Sequence, residues 1–386
     1  MNSSAPIVTM TYPLFLCRIC DRTMSTRVLA AMSGGVDSSV AALLLQQQGY
    51  DVVGATLNLW SYEGREEPYN ECCSLEVRMI AHQLGIEHHF VDEGQAFKEA
   101  VVDPFIEEST QGLTPLPCAK CNRFVRVPKL IELADRLDCQ YVATGHHVRI
   151  RQARDGAYQL LKGRDAHKDQ GYFLYMLDQN ALARLMVPIG DYDKRDVWKI
   201  AYENDLISAR KPESQDLCFL PNGDARQFLK DRANGAMTPG EIVDTSGNVL
   251  GEHDGLAYYT IGQRRGLGVS AGEPVYVIDK DRDANRLIVG PEALLYSEGL
   301  IAEDVCFVHP GGLREPARAE VKIRYRSHPE PCTLEPTDDP ARVAVRFDKP
   351  QRAVTPGQVA VFYQDKLVLG GGTIARAPAA SVPPVL

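Results

Sequence analysis

Two groups of residues in this chain have types and spacings suited to chemistry. The first is Ser33-Gly34-Gly35-Val36-Asp37-Ser38-Ser39. Paired glycines and small hydroxyl residues at a strand-to-helix turn let backbone amides close on an anion, and the helix dipole favours that anion, so the segment reads as a nucleotide-phosphate loop. It matches neither the Gly-Lys-Ser/Thr ending of a P-loop nor the Gly-x-Gly-x-x-Gly turn of dinucleotide binders. With no lysine in the loop, backbone amides and Mg²⁺ would neutralise the phosphates, and Asp37 would order the loop or hold the metal. The plainer alternative, a glycine-rich turn with a Ser or Asp cap, loses ground because an apolar strand precedes the loop and a helix follows it.

The second group is the cysteines, ten in 386 residues. With no export signal they read as cytosolic thiols rather than structural disulfides. A free thiol is only about 3% thiolate at pH 7, so a working cysteine needs cations beside it. Cys121 has them in sequence, since Lys120, Arg123, Arg126 and Lys129 surround it and no acidic residue falls between 119 and 130. Cys218 follows Glu213 and Asp216 and lacks such a cluster. Cys118, Cys121 and Cys218 together also supply three thiolates, enough for an iron–sulfur cluster with one open iron. Pairing Cys17-x-x-Cys20 with Cys118-x-x-Cys121 as a zinc site is disfavoured, because a ribbon separates its pairs by only about 15–20 residues. Cys72, Cys73, Cys139, Cys306 and Cys332 read as small buried hydrophobes.

These residues need a scaffold. Strand-like and helix-like stretches alternate from Arg27 to about Pro221: 28–32, 40–48, 52–59, 75–84, 88–91, 126–137 and 141–144. Such alternation predicts an α/β fold with a doubly wound parallel sheet covered on both faces. The helix after Cys121 is expected to begin at Pro128 as its first residue. Beyond Asn222, Gly and Pro become frequent and short alternating runs appear at 257–261, 274–278, 286–289, 319–325, 342–347 and 359–363. They predict two small β-rich domains, the last a barrel. The expected divisions are an N-terminal extension over 1–24 and domains over 25–222, 223–299 and 300–386. As a strand, 321–326 would put Lys322, Arg324 and Arg326 on one face, a strip suited to phosphate contacts.

Composition sets outer limits. The formal net charge of −9 argues against blanket coating of nucleic acid, which needs clustered cations, while leaving room for a local basic track. Hydrophobic residues at 44% and charged residues at 24% exclude a mainly disordered chain. Apolar stretches such as 40–45 fall far short of the ~20 residues of a membrane span, and 1–23 lacks a basic n-region and cleavage site, so a cytoplasmic protein without membrane contact is expected, with Met24 an alternative start.

The loop resembles the PP-loop of the ATP pyrophosphatases, which cleave ATP between the α and β phosphates. From Met24 onward the chain resembles the tRNA-specific 2-thiouridylases of that superfamily. The resemblance rests on the loop with Ala31-Met32 before it, Cys118-Ala119-Lys120-Cys121-Asn122, Ala143-Thr144-Gly145-His146, Lys168-Asp169-Gln170, Glu213-Ser214-Gln215-Asp216-Leu217-Cys218, Tyr259-Thr260-Ile261-Gly262-Gln263-Arg264 and Pro356-Gly357-Gln358. It implies an adenine nucleotide alpha hydrolase-like first domain and 2-thiolation of the wobble uridine of tRNA with ATP and Mg²⁺.

By this resemblance Cys218 carries a persulfide and Cys121 is the nucleophile that helps release its sulfur. Ala31, Met32, Ser33, Gly34, Gly35, Val36, Asp37, Ser38, Leu57 and Gly145 would contact ATP. Leu116, Pro117 and Cys118 would approach the target base, and His146, Lys168, Asp169, Gln170, Arg324, Tyr325 and Gln358 would contact tRNA. Leu116 stands where an asparagine is usual, and some relatives carry aspartate at the position of Cys118. His146 also reads simply as a satisfied histidine at a strand end. The implied partners are tRNA, a persulfide donor protein and a thiol reductant. Two other readings fit the loop alone: a PP-loop ligase or amidotransferase acting on a small substrate, and an RNA-binding protein with a regulatory nucleotide site.

Overall fold

The structure is a computed structural model that describes residues 25–60, 71–211, 217–220, 223–233, 237–270 and 272–375, with only the backbone described over 71–74. The extension with Cys17 and Cys20, the 213–216 part of the Cys218 motif and the side chains of Cys72 and Cys73 lie outside the described residues.

The first sheet contains β1 (Arg27–Ala31), β2 (Asp51–Asn58), β3 (His88–Asp92), β4 (Tyr141–Ala143) and, after a hairpin of β5 (Val148–Gln152) and β6 (Tyr158–Lys162), β7 (Leu185–Met186). The order is β3-β2-β1-β4-β7 and every pairing is parallel. Val28, Leu29 and Ala30, the three central residues of β1, are buried in succession, as a strand covered on both faces requires. On one face, α1 (Val36–Gln47) packs Val36, Val40 and Leu44 against Val197 and Ala201 of the helix Lys194–Glu203. On the other, Leu130, Leu133 and Ala134 of the helix Val127–Arg136 cover Leu29, Val53 and Val142. The expected doubly wound sheet is present, and its order reverses between β1 and β4.

The helix carrying the cysteine pair starts earlier than expected. A helical run over 117–136 opens with Pro117 in its first turn, widens to a π-helix over Cys121–Arg126 and returns to α-helix over Val127–Arg136. Pro128 lies inside this run rather than at its start. The Val127 amide donates to Asn122 five residues back, and this wider turn accommodates a proline that has no N–H to give.

The second sheet, β8 (Gly240–Val243), β9 (Val249–His253), β10 (Tyr276–Asp281) and β11 (Arg286–Gly290), has the order β10-β11-β8-β9. Its core gathers Ile242, Leu256, Tyr259, Val277, Leu287 and Val289. The strand expected at 257–261 is instead a 3₁₀ turn at Leu256–Tyr258 followed by loop.

The last domain holds β12 (Tyr296–Phe307), β13 (Ala317–Lys322), β14 (Glu330–Pro336), β15 (Val343–Arg352), β16 (Val359–Gln364) and β17 (Leu367–Ile374). They follow the order β12-β15-β14-β13-β16-β17, and a β12–β17 pairing closes the barrel. The hairpin β5–β6 of the first domain joins β17 at Leu161 and Leu367, so the two outer domains share a sheet. Because β13 stops at Lys322, Lys322, Arg324 and Arg326 do not form the expected strand face. No helix of the described residues is long and apolar enough to cross a membrane.

Candidate active site

The phosphate loop sits at the sheet's switch point, where doubly wound folds bind ligands beyond the strand carboxyl ends. Gly34 adopts a left-handed φ of +76°, and Gly35 caps α1 with no side chain bonded to the first-turn amides. The hydroxyls fasten the loop from within: Ser38 Oγ accepts from the Ser33 amide at 3.2 Å and donates to the Gly35 carbonyl at 3.1 Å, and Ser39 Oγ donates to the same carbonyl at 2.9 Å. A helix N-terminus without a side-chain cap, beside a glycine-lined turn, fits a phosphate chain. Gly145, just past β4, closes on this loop so tightly that a Cβ there would lie 2.6 Å from both the Asp37 carbonyl carbon and the Ser38 nitrogen. Leu57, near the carboxyl end of β2, is half-buried beside the same crevice.

Asp37 does not face solvent alone. Lys194 Nζ donates to both of its carboxylate oxygens at 2.7 Å, and His147 Nε2 lies 3.1 Å from Oδ1. Burial works against the carboxylate, but the His147 hydrogen bond and the Lys194 charge outweigh it, so Asp37 titrates below the usual carboxylate range. Lys194 is itself buried and arrives from 157 positions away. The sequence shows no lysine in the loop because the fold delivers one from another helix. Only the doubled His146-His147 beside Gly145 offered a signal for His147.

The thiols come next. Cys118 lies in the first turn of the 117–136 run, Cys121 opens its π segment, and Cys218 lies in a turn whose next two residues are anchors. Phe219 packs its ring against Phe105 at 5.2 Å and Phe228 at 5.3 Å, and Leu220 joins the same cluster as Cys121 and Val125. This packing brings Cys218 to Cys118 and Cys121: the three sulfurs lie within charge reach of one another and share Arg126 as their cation.

The expected cationic setting of Cys121 is corrected here. Lys120 is paired with Glu108, Arg123 with Asp178, and Lys129 with Glu93 and Glu132, so of these four it is Arg126 that faces the thiols. Burial outweighs that one charge. It pushes the Cys118 thiol up to about 12, with help from its two neighbours, and it also raises Cys121 and Cys218. Cys121 is buried, whereas Cys218 is open to solvent at its surface although its surroundings are dense enough to disfavour the thiolate. At each of the three, burial favours the protonated thiol. Among the described residues no three His, Cys, Asp or Glu side chains are gathered closely enough to hold a single metal ion.

His146 joins the two halves of the site. It is buried, with Nδ1 2.9 Å from Thr144 Oγ1, and burial together with the charge of Arg126 holds its pKa at about 3, while Asp37 opposes the shift. A neutral imidazole therefore stands within charge reach of both the thiol cation and the loop carboxylate.

Several residues expected at the RNA also make contacts within the protein. Leu116 caps the cysteine run while packing on the main core, and Pro117 is buried. Asp169 is buried, accepts the amides of Gly163 and Gly171, and has its pKa raised by burial. Gln170 accepts the His147 amide. Tyr325 packs its ring on Phe173 at a tilt, with centroids 4.4 Å apart, and the Phe173 carbonyl accepts from Asn122 of the cysteine run. Arg324 donates to the Ala353 carbonyl, Lys168 stands half-buried in the turn that follows Asp165, and Gln358 donates to Thr114. Of these barrel residues, Gln358 reaches the segment that leads into the cysteine pair, and Tyr325 meets the cysteine run through Phe173.

Family models match three consecutive regions: a tRNA methyl transferase HUP domain over 26–222, a tRNA methyl transferase PRC-barrel domain over 226–291 and an aminomethyltransferase β-barrel domain over 297–374. A tRNA-specific 2-thiouridylase MnmA of Natranaerobius thermophilus is 48% identical over 363 residues, covering 92% of this chain and 98% of the relative. The enzyme of the same name from Symbiobacterium thermophilum is 46% identical over 366 residues, covering 92% and 94%. Among solved structures, the U34-tRNA thiolase NcsA from Methanococcus maripaludis aligns over 54% of this chain and 63% of its own, at 17% identity and a TM-score of 0.33, a likeness too slight to carry an argument.

Proposed function

Because the chain belongs to the tRNA-specific 2-thiouridylase family, we propose that it replaces O2 of the wobble uridine, position 34 of tRNA, with sulfur at the expense of ATP. The observation that carries the mechanism is the gathering of Cys121 and Cys218 around Arg126, with His146 spanning from that cation to Asp37 of the phosphate loop.

Oxide is a poor leaving group, so the uracil O2 is first converted to a phosphoester. O2 attacks the α-phosphorus of ATP held by the 33–38 loop, and diphosphate leaves toward the amides at the start of α1. Mg²⁺ would travel with the phosphates and supply charge neutralisation, while Asp37, whose two oxygens accept from Lys194, orders the loop. Leu57 and the Ala31-Met32 backbone flank the nucleoside, and Gly145 lets the phosphate loop close against the end of β4.

The sulfur arrives as a persulfide on Cys218, charged by a donor protein that solvent exposure of this residue admits. Its terminal sulfur attacks C2, and AMP departs with the original O2. The Cys121 thiolate then attacks the Cys218 sulfur, which breaks the S–S bond, releases the 2-thiouridine and leaves a Cys121–Cys218 disulfide. A dithiol reductant reopens it. Arg126 stabilises the sulfur anion at each stage. The base must leave its stack to reach this buried centre, and we assign Leu116, Pro117 and Cys118 to its approach and Lys168 and Tyr325 to the flanking RNA.

The route of the oxygen tests this chemistry. With tRNA bearing ¹⁸O at uracil O2, the label is expected in AMP, one per thiolated tRNA. Label in water or in diphosphate would exclude adenylation at O2.

A further inference from the structure

The loop that leads into the cysteine pair is built by the barrel. Between the helix Asp103–Thr110 and the start of the 117–136 run, the chain has no regular structure of its own. Both backbone groups of Thr114, at the middle of that stretch, are held by the turn before β16: the Thr114 amide donates to the Pro356 carbonyl at 3.0 Å, and Gln358 Nε2 donates to the Thr114 carbonyl at 2.8 Å. Gly357 lies between these contacts with φ +87°, and a Cβ on it would fall 2.7 Å from the Thr114 nitrogen. The turn is itself fixed to the barrel wall, since the Gly357 amide donates to Ile374 and the Ile374 amide to Gln358. Thr114 stands two residues before Leu116, which caps the run bearing Cys118 and Cys121.

We propose that Gly357 and Gln358 are positioning residues: the barrel turn clamps Thr114 and thereby sets where the Cys118 and Cys121 thiols stand relative to RNA seated on the same barrel. The Gln358 side chain acts through the protein rather than by reading the RNA. This inference rests on the thiolation reading for its catalytic consequence, whereas the clamp has a readout of its own.

The test uses the full chain with Gln358→Met, which keeps the volume and removes the donor, Gln358→Ala, and Gly357→Ala. Carbamidomethylation of Cys121 by iodoacetamide, followed by mass spectrometry without RNA or ATP, is expected to quicken several-fold as the buried thiol loosens. kcat for thiolation is expected to fall about tenfold or more, as ångström-scale misplacement of a reacting group does, while KM and Kd for tRNA stay within about twofold. Thermal melting identifies any variant that does not fold, and Gln358→Met then decides. A weakened tRNA Kd with unchanged Cys121 alkylation would overturn the proposal and return Gln358 to the RNA. Unchanged alkylation and kcat would overturn it as well. If the unaltered protein thiolates no tRNA while alkylation still responds, the reaction assigned to the site fails and the clamp stands.

Discussion

Cys121 and Cys218 are nearly a hundred positions apart in sequence, and what unites them is a single guanidinium and a cluster of phenylalanines. Substituting either by serine is expected to reduce thiolation on the order of 10³-fold, because both act in one sequence of steps, while ATP and tRNA binding persist. The sign of the pH dependence follows from burial. Since burial raises all three thiols above the ordinary range and Arg126 only partly offsets it, the single-turnover rate should climb with pH to 9 and beyond. Arg126→Gln removes the one lowering charge, so its basic limb should move further up; a limb that stays or moves down would contradict Arg126 as the thiols' cation. The cysteines were legible from residue type and family pattern. Their electrostatics were not, because Glu108, Asp178 and Glu93, which draw off three of the four nearby cations, come close only in the fold.

Elements were read well where periodicity was strong. The alternation from β1 to β4 appears in the structure because buried parallel strands and amphipathic helices leave distinct patterns. Two short stretches misled. At 257–261, β-favouring residues form a turn because Tyr259 enters the central core and Tyr258 lies under the Arg226 guanidinium, so packing overrides propensity. At 321–326 the strand ends where Lys322 turns inward between Tyr172 and Tyr325. The junction of β4 with the phosphate loop yields a prediction at this scale. Gly145→Ala forces backbone apart at Asp37 and Ser38, so it should cost about 1–3 kcal/mol of stability and weaken ATP at least about tenfold, with tRNA affinity kept. Isothermal titration and urea melts measure both; full ATP affinity would argue against the loop as the phosphate site.

At the scale of the molecule, the first domain and the barrel are one hydrophobic body. Val359, Val361, Tyr363 and Val368 of the barrel share a cluster with Leu29, Leu160 and Tyr172, whereas the central sheet keeps a core of its own. A chain ending at residue 299 should therefore aggregate or melt broadly, since it exposes that shared face; a soluble, cooperatively folded truncation would contradict the shared core. One buried and one half-buried histidine add an acid dependence. His146, held at about 3, and His88, held at about 4, both by burial, titrate below the unfolded value of 6.5, so the stability they contribute is complete above pH 6.5 and is lost as pH falls toward 3–4. Tm should fall over that window, and His88→Gln should flatten the fall. The most direct measurement remains the product itself: unmodified tRNA, ATP, Mg²⁺ and a persulfide donor, resolved on a mercury-containing gel that retards thiolated RNA. The expected result is a retarded band with the unaltered chain that disappears with Cys218→Ser; a band that survives that substitution, or none under any sulfur source, would contradict the convergent thiol pair as the seat of sulfur transfer.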